Sequence, residues 1–313
     1  MKNYRLSTIL FVSLLNLISG CGDQTDTASP VEFVRAWGSE GSGDGQFLYI
    51  ESFAFDGQGQ LLVTDALRSD VQVFTPDGRF ITKFGGKGKH IGNLVKPEGI
   101  AVDKTGNIYV GDYLSGYIKK YDADFQHVLT FSSLGSELGQ TLESEFMTIA
   151  KNGLIYIAEA GNHRVSAFNQ DGEFQFAIGS EGVYPGYFIR PEGVSFDGKD
   201  KLYVTDFGNH RVQIFDLNGT YLSTIGKQGT GPGEFRRPIG TAFDNSGRIY
   251  VSDAGNNRIQ IFDKSGSFIA TWGKKGKQVG EFANLHSIIV GENGNIYVAD
   301  SGNYRIQVFR FRQ

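Results

Sequence analysis

The chain has 313 residues, among them 43 glycines and 25 phenylalanines but two methionines and one cysteine. Abundant glycine and aromatic residues favour an all-β protein with many tight turns over a helical one. A formal net charge of −4 disfavours nucleic-acid binding, which depends on neutralising phosphates, and a single cysteine excludes a disulfide within the chain.

The first 20 residues differ in kind from the rest. Lys2 and Arg5 precede an apolar run over residues 9–18. This run has the length of a signal-peptide core and is too short to span a bilayer as a helix. We therefore predict that residues 1–20 are an export signal.

The apolar run ends in Ile18-Ser19-Gly20-Cys21, which matches the lipobox of bacterial lipoproteins. The match implies a lipid on Cys21, and several acyl chains anchor a protein stably. Residues 21–31 then form a polar tether, and the protein lies in the bacterial cell envelope, membrane-anchored on the periplasmic or extracellular face. The alternative is an ordinary export signal followed by a chance cysteine.

A 47-residue repeat fills residues 32–313 without insertion or deletion. Each repeat carries a phrase close to Ile-Tyr-Val-x-Asp and four short strand-like runs separated by turns, which is the composition of a β-propeller blade. Six repeats predict six blades and one domain. The acid of the phrase falls at Asp65, Asp112, Glu159, Asp206, Asp253 and Asp300.

The two ends of the repeat region complement each other. The last repeat stops after its third strand-like run, and the missing fourth appears at residues 33–38 (FVRAWG), which align with residues 268–273 (FIATWG). We predict that this N-terminal strand completes the last blade and closes the ring, which leaves no free blade edge at the seam.

The loops after the repeated acids resemble those of the NHL-repeat family. The clearest phrases are Asp253-Ala-Gly-Asn-Asn-Arg-Ile-Gln-Ile-Phe and Asp300-Ser-Gly-Asn-Tyr-Arg-Ile-Gln-Val-Phe. The resemblance covers the whole repeat region. It implies a six-bladed propeller, in agreement with the count, and a function that is mostly binding.

Residues that recur in every blade are expected to be structural, because one site needs only one set of groups. The repeated acids are expected to hydrogen-bond the following loop. Four arginines are expected to pair with them, and four asparagines to take a left-handed or Asx-turn conformation. These residues are Arg164, Arg211, Arg258 and Arg305, and Asn162, Asn209, Asn256 and Asn303.

A first departure from the repeat lies just before each innermost strand. Four glutamates and a histidine are expected to converge on the mouth of the central channel, where they could bind a ligand or a metal ion. The alternative is that these glutamates are simply solvated. The six positions read Glu51, Glu98, Glu145, Glu192, Ile239 and His286.

A second departure lies in repeats one to three. The first two lack the Gly-Asn-x-Arg loop and carry Arg68, Tyr113 and Tyr117, whereas the third has Phe146 and Met147 in place of the usual start of its first strand. These residues are interpreted as an exposed patch for a partner. Drift in degenerate repeats is the alternative.

The function predicted from these features is a monomeric interaction platform for a protein, peptide or glycan. The sequence has no G-x-S-x-G or His-Glu-x-x-His motif. The alternative is a hydrolase or lyase at the channel, similar to lactonases and amidating lyases, with calcium or magnesium held by the glutamates. Zinc is disfavoured, since only His286 resembles a member of the amidating lyases' three-histidine set, and we expect no nucleic-acid partner.

Overall fold

The computed structural model describes residues 29–312; the predicted leader and Cys21 lie outside the described residues. Within this range 24 β-strands form six four-stranded antiparallel sheets. Blade 1 contains β2 (Ile50–Phe55), β3 (Leu61–Asp65), β4 (Asp70–Phe74) and β5 (Phe80–Gly85). Blade 2 contains β6 (Pro97–Val102), β7 (Ile108–Asp112), β8 (Ile118–Tyr121) and β9 (His127–Phe131). Blade 3 contains β10 (Ser144–Ile149), β11 (Ile155–Glu159), β12 (Arg164–Phe168) and β13 (Phe174–Ile178).

The second half of the ring repeats this order. Blade 4 contains β14 (Pro191–Phe196), β15 (Lys201–Asp206), β16 (Arg211–Asp216) and β17 (Tyr221–Ile225). Blade 5 contains β18 (Pro238–Phe243), β19 (Ile249–Asp253), β20 (Arg258–Phe262) and β21 (Phe268–Trp272). Blade 6 contains β22 (Leu285–Val290), β23 (Asn295–Asp300), β24 (Arg305–Phe311) and β1 (Val31–Trp37). Single 3₁₀ turns span Phe207–Asn209, Ala254–Asn256 and Ser301–Asn303. The predicted six-bladed, all-β fold is confirmed.

The ring closes as the sequence predicts. Strand β1 pairs with β24 in antiparallel register, from Val31 opposite Phe311 to Trp37 opposite Ile306. The backbone N–H of Arg312 donates to the carbonyl oxygen of Pro30 (2.9 Å). The two ends of the described chain therefore meet at one place.

The core lies between blades. Every residue of the second strands β3, β7 and β11 is buried, because both faces of such a strand pack against a neighbouring blade. The outer strand β5 alternates between half-buried and exposed residues. Between blades 5 and 6, for example, Ile259 and Trp272 share one apolar cluster with Ile296.

The repeated acids tie each blade's loops together. Asp300 accepts hydrogen bonds from the backbone N–H of Ala283 (2.7 Å), the amide of Asn303 (2.9 Å) and Arg305 Nε (2.7 Å). Blades 3, 4 and 5 have the matching ion pairs Arg164–Glu159, Arg211–Asp206 and Arg258–Asp253. In these blades the acid and the arginine therefore hold the loop between the second and third strands.

The prediction for the four asparagines is wrong in one respect. The left-handed backbone lies one residue later, and the asparagine side chain instead donates to the repeated acid and to a carbonyl of the preceding loop. Because the asparagine amide is hydrogen-bonded to the repeated acid, the residue after the asparagine takes the left-handed conformation. The left-handed residues are His163, His210, Asn257 and Tyr304, with φ of 53°, 57°, 52° and 56°.

No helix within residues 29–312 is long and apolar enough to cross a membrane.

Candidate functional site

The innermost strands of the six blades surround the central channel and all begin at the same end of it, here called the mouth face. The predicted glutamates and His286 are brought together there in one cavity of about 370 Å³, here called the mouth pocket. Ile239 fills the sixth position and is buried. The mouth pocket is lined by Tyr49, Glu51, Ala66, Leu67, Lys96, Glu98, Tyr113, Glu145, Glu192 and His286.

Sequence reasoning missed Tyr49 and Lys96, which lie two residues before Glu51 and Glu98. The same repeat register contains a signal for them, since positions 49, 96, 143, 190, 237 and 284 read Tyr, Lys, Glu, Arg, Arg and Asn. A second 47-residue series of polar and aromatic residues beside the glutamates thus marks the rim of the pocket.

Lys96 is the cation inside the mouth pocket. Its Nζ lies 2.5 Å from Glu98 Oε1 and 3.7 Å from the centroid of the Tyr113 ring. Burial lowers the pKa of Lys96, but Glu98, Glu51 and Glu145 outweigh burial and the net pKa is raised. The pocket therefore holds an ammonium group between a carboxylate and an aromatic face.

Three glutamates form a hydrogen-bonded row, here called the glutamate ladder: Glu98 bonds Glu145, and Glu145 bonds Glu192. Burial raises the pKa of Glu145 well above its ordinary value, and the charges of Glu192 and Glu98 add to the shift. Burial also raises the pKa of Glu192, to about 7, against the opposing charge of Arg190. Burial therefore favours the protonated forms of both glutamates, and the pKa of Glu192 lies near neutral pH.

Glu51 lies beside the ladder with an unsatisfied side chain. It is 3% exposed, and its Oε2 has no hydrogen-bond partner within the described range. His286 Nδ1 lies 3.2 Å from both this oxygen and the Glu51 carbonyl oxygen, and its hydrogen bond goes to the carbonyl. Burial, with Glu98, raises the pKa of Glu51 well above its ordinary value, and burial lowers the pKa of His286.

Phe146 lies behind His286, one of the residues that line the mouth pocket. Its ring centroid lies 5.6 Å from that of His286, and blades 3 and 6 stand opposite each other in a ring of six. The side chain therefore reaches across the channel axis. Beyond it lies a second cavity of about 480 Å³, here called the lower cavity, which Phe146 and the far ends of the inner strands line.

The predicted partner patch needs correction. Phe146 and Met147 are each 6% exposed and Arg68 is 8% exposed, so their predicted exposure is wrong. Small residues such as Gly99 and Ser287 occupy the positions equivalent to Phe146 and leave room for its ring in the channel. Arg68 pairs with Asp70 (2.8 Å) and donates to the carbonyl oxygen of Gly43 (2.8 Å), so it holds a loop.

Tyr117 is exposed as predicted and Tyr113 is partly exposed over Lys96. They belong to a wider group of exposed apolar residues in the loops of blades 1 to 4 at the mouth face, here called the apolar sector. The loops entering blades 5 and 6 carry Lys227, Arg237 and Lys275 beside one exposed apolar residue, Val279, whereas the loop entering blade 2 carries exposed Lys87 and Lys89 beside Ile91. The apolar sector comprises Leu67, Ile91, Val95, Leu114, Tyr117, Leu134, Leu138, Val183, Tyr184 and Tyr187.

The mouth pocket does not have the geometry of a metal site. Across residues 29–312, no group of three or more His, Cys, Asp or Glu side chains is placed to hold a metal ion. The ladder glutamates bond one another and Lys96 rather than converging on one point. What the arrangement can do is exchange protons and hold a positively charged or hydrogen-bond-donating group.

Comparisons with known proteins agree with this architecture. A family model described as a 6-bladed beta-propeller matches residues 56–156 and 238–313, and an NHL-repeat model matches residues 188–215. No curated protein matches the sequence.

Several solved structures are similar in fold. One is a protein of unknown function from Bacteroides thetaiotaomicron, 18% identical with a TM-score of 0.68, over 90% of this chain and 75% of that one. A gluconolactonase from Xanthomonas campestris is 16% identical with a TM-score of 0.65, over 86% and 88%. Virginiamycin B lyase from Staphylococcus aureus is 12% identical with a TM-score of 0.60, over 88% and 95%. At these identities the likeness shows the fold alone, and the family follows from the model that matches more than half of the chain. The chain belongs to the 6-bladed β-propeller family and carries NHL repeats.

Proposed function

We propose that the protein is a lipid-anchored binding module of the bacterial cell envelope that holds a polypeptide partner on its mouth face. The observation that carries the proposal is the joint placement of the mouth pocket and the apolar sector on one face. A protein surface with exposed apolar residues beside a concave polar pocket is typical of an interaction site.

A polypeptide fits this face better than a glycan. The apolar sector is mostly aliphatic, with Leu114, Leu138 and Val183 among its most exposed members. Aliphatic side chains gain from contact with other apolar side chains, whereas a sugar offers hydroxyl groups that need hydrogen-bond partners. The adjacent pocket offers a separate place for one polar side chain of the partner.

Site-specific photo-cross-linking in the cell envelope tests the proposal. Cross-linkers at Leu114, Leu138 and Tyr184 are expected to capture one discrete polypeptide, whereas a cross-linker at Gln58, in a loop at the opposite end of the channel, is not. The product at Leu138 should disappear when Leu114 and Tyr184 are both replaced by Asp. Equal capture from both faces, or capture that survives the double replacement, would contradict a specific mouth-face partner.

The membrane anchor rests on the sequence around Cys21. Growth of producing cells with a radiolabelled fatty acid should label the protein, and Cys21→Ser should remove the label. An unlabelled wild-type protein would contradict the lipid anchor and would not affect the proposed binding function.

One observation favours a second candidate, an acid–base enzyme at the same pocket. The pKa of Glu192 is raised to about 7 by burial, which suits a proton donor and acceptor at neutral pH. The gluconolactonase and the lyase show that similar propellers carry enzymes. Turnover of a lactone, ester or cyclic depsipeptide that Glu192→Gln abolishes would establish this candidate, and the same screen without turnover would remove it.

A further inference from the structure

We propose that the mouth pocket takes an organic cation, the ammonium or guanidinium group of a ligand, and that entry of this cation expels a proton from the buried glutamates. The inference rests on the proposed binding function and names the chemistry of the group that enters the pocket. The polypeptide partner would supply it as a lysine or arginine side chain, and a free polyamine would supply the same chemistry.

The count of charged groups gives the first reason. Four glutamates line the mouth pocket, and Lys96 is the one lysine or arginine among its lining residues. Lys96 forms an ion pair with Glu98, with 2.5 Å between Nζ and Oε1. Arg190 lies at the rim and is bonded to Glu143 (2.7 Å). The carboxyl groups of Glu51 and Glu145 are left without a cation of their own.

Glu51 gives the second reason, independent of the count. Its Oε2 is buried in the pocket wall and unpaired within the described range. A buried polar atom without a partner is costly, and a donor supplied by a ligand recovers that cost. His286 does not fill this role, because its Nδ1 hydrogen serves the Glu51 carbonyl oxygen.

Lys96 itself gives the third reason. Its ammonium group is held by one carboxylate and the face of Tyr113, so the pocket already accommodates the chemistry that we propose for the ligand. Tyr49 offers a second aromatic wall beside Glu51. A metal ion would need several oxygens converging on one point, and the ladder does not provide them.

Proton release follows from the state of the glutamates. Burial raises the pKa of Glu51 and of Glu145 well above the ordinary value, so their protonated forms are favoured before the cation enters. An organic cation placed against them favours the ionised form, so the carboxylic acid O–H bond breaks, the proton passes to solvent, and the carboxylate pairs with the cation. Binding should therefore strengthen as pH rises. The other charged or titratable groups facing these carboxyls are Lys96, Glu98, Glu192, Arg190, Glu143, Asp65, Tyr49, Tyr113 and His286.

Calorimetric titration of the full-length protein in detergent tests the inference. The probes are N-acetyl-arginine methylamide, N-acetyl-lysine methylamide, agmatine and putrescine, and the neutral control is N-acetyl-citrulline methylamide. Each titration is run in phosphate and in HEPES, which contains no primary ammonium group, because the difference in the buffers' ionisation enthalpies reports the protons released. We expect the cations to bind with proton release, more tightly at pH 8 than at pH 6, and the citrulline compound not to bind.

Matched variants locate the site. Glu51→Gln and Glu145→Gln should each weaken cation binding by roughly tenfold or more, the usual cost of losing a charge-assisted hydrogen bond, and Glu145→Gln should also flatten its pH dependence. Glu292→Gln, exposed near the far end of the channel, should change neither. Tighter binding of the peptide-like probes assigns the cation to a polypeptide, and tighter binding of agmatine or putrescine assigns it to a free amine.

Three results would overturn the inference: equal binding of the citrulline compound, cation binding without proton release, or calcium binding that Glu51→Gln abolishes while the organic cations do not bind. If the mouth-face cross-link persists and the cations neither bind nor displace it, the cation inference fails and the proposed function stands. If the specific cross-link is also absent, the proposed function fails with it.

Discussion

At the scale of single residues, the buried acids of this propeller fall into two groups with opposite environments. Asp206 is buried but receives hydrogen bonds from the Ile189 backbone, Asn209 and Arg211. Among the described residues, Glu51 and Glu145 are buried without a lysine or arginine in an ion pair with them, and Glu51 has only His286 beside it, whose pKa is lowered by burial. The first group stabilises the blades through ion pairs and hydrogen bonds, whereas burial favours the protonated form of the second.

The repeated acids should be intolerant of neutral replacement. Asp206→Asn removes the negative charge that lies 2.8 Å from Arg211 Nε. It also places an amide N–H donor against neighbouring groups that are all hydrogen-bond donors. We expect a loss of about 3–5 kcal/mol in the free energy of unfolding, the cost of breaking a buried ion pair, measured by urea denaturation. The exposed Asp171→Asn is the control, and a loss below about 1 kcal/mol at Asp206 would contradict the structural role.

The buried glutamates should make the protein less stable as pH rises. The folded-state pKa of Glu192 is about 7 against an ordinary 4.5, so its contribution is fully present below pH 4.5 and is lost as pH rises through 7. At roughly 1.4 kcal/mol per pKa unit, the loss is about 3 kcal/mol. Denaturation at pH 5 and pH 8 should show a smaller decline for Glu192→Gln than for the wild type; equal declines would contradict the raised pKa.

At the scale of the strands, the channel is divided by one side chain from one inner strand. Phe146 on β10 reaches His286 on β22, and the two cavities lie on either side of it. The other five inner strands place glycine or serine at this position. Removing the ring therefore creates a passage rather than a closed void.

Phe146→Ala is expected to lower the free energy of unfolding by about 3–5 kcal/mol, as is usual for a buried phenylalanine, and to join the two cavities. Chemical denaturation measures the first effect, and a crystal structure of the variant measures the second. Phe268→Ala on the outer strand β21, which is 36% exposed, should cost much less. A variant with two separate cavities would show that another side chain divides the channel.

The pairing of β1 with β24 predicts that β1 is needed for full stability and can be supplied as a separate peptide. Deleting residues 29–37 uncovers Phe309, which Phe33 contacts, and removes the buried Val31, which should cost roughly 5 kcal/mol or more in lost apolar burial. A synthetic peptide of residues 29–38 added to the shortened chain should raise its melting temperature, whereas a scrambled peptide should not. Full stability of the shortened chain without the peptide would contradict closure by β1.

At the scale of the whole molecule, the sequence predicts the architecture almost completely, because a 47-residue period without gaps leaves one way to count the blades. The convergence of Glu51, Glu98, Glu145, Glu192 and His286 was also predictable, since equivalent positions in a closed ring share one axis. These predictions needed only the repeat register and the topology of a propeller.

The raised pKa of Glu145 and the burial of Phe146 were not predictable in the same way. Both depend on how far side chains from opposite blades reach across the channel, and the repeat register carries no information on that distance. The predicted exposure of Arg68 is wrong for a simpler reason. Its ion-pair partner Asp70 is only two residues away. This local ion pair holds the loop in blade 1, as the Gly-Asn-x-Arg loop does in other blades.

The N-terminal strand β1 enters the propeller at the end opposite the mouth pocket. Val31 and Arg312 lie together at the end of blade 6 farthest from the mouth pocket, because β1 runs from there toward the mouth face. The nine residues between Cys21 and Val31 can span about 30 Å when extended. If Cys21 carries the lipid, the anchor is joined to the propeller at the end opposite its acidic opening. A partner could then approach from solution without displacing the protein from the membrane.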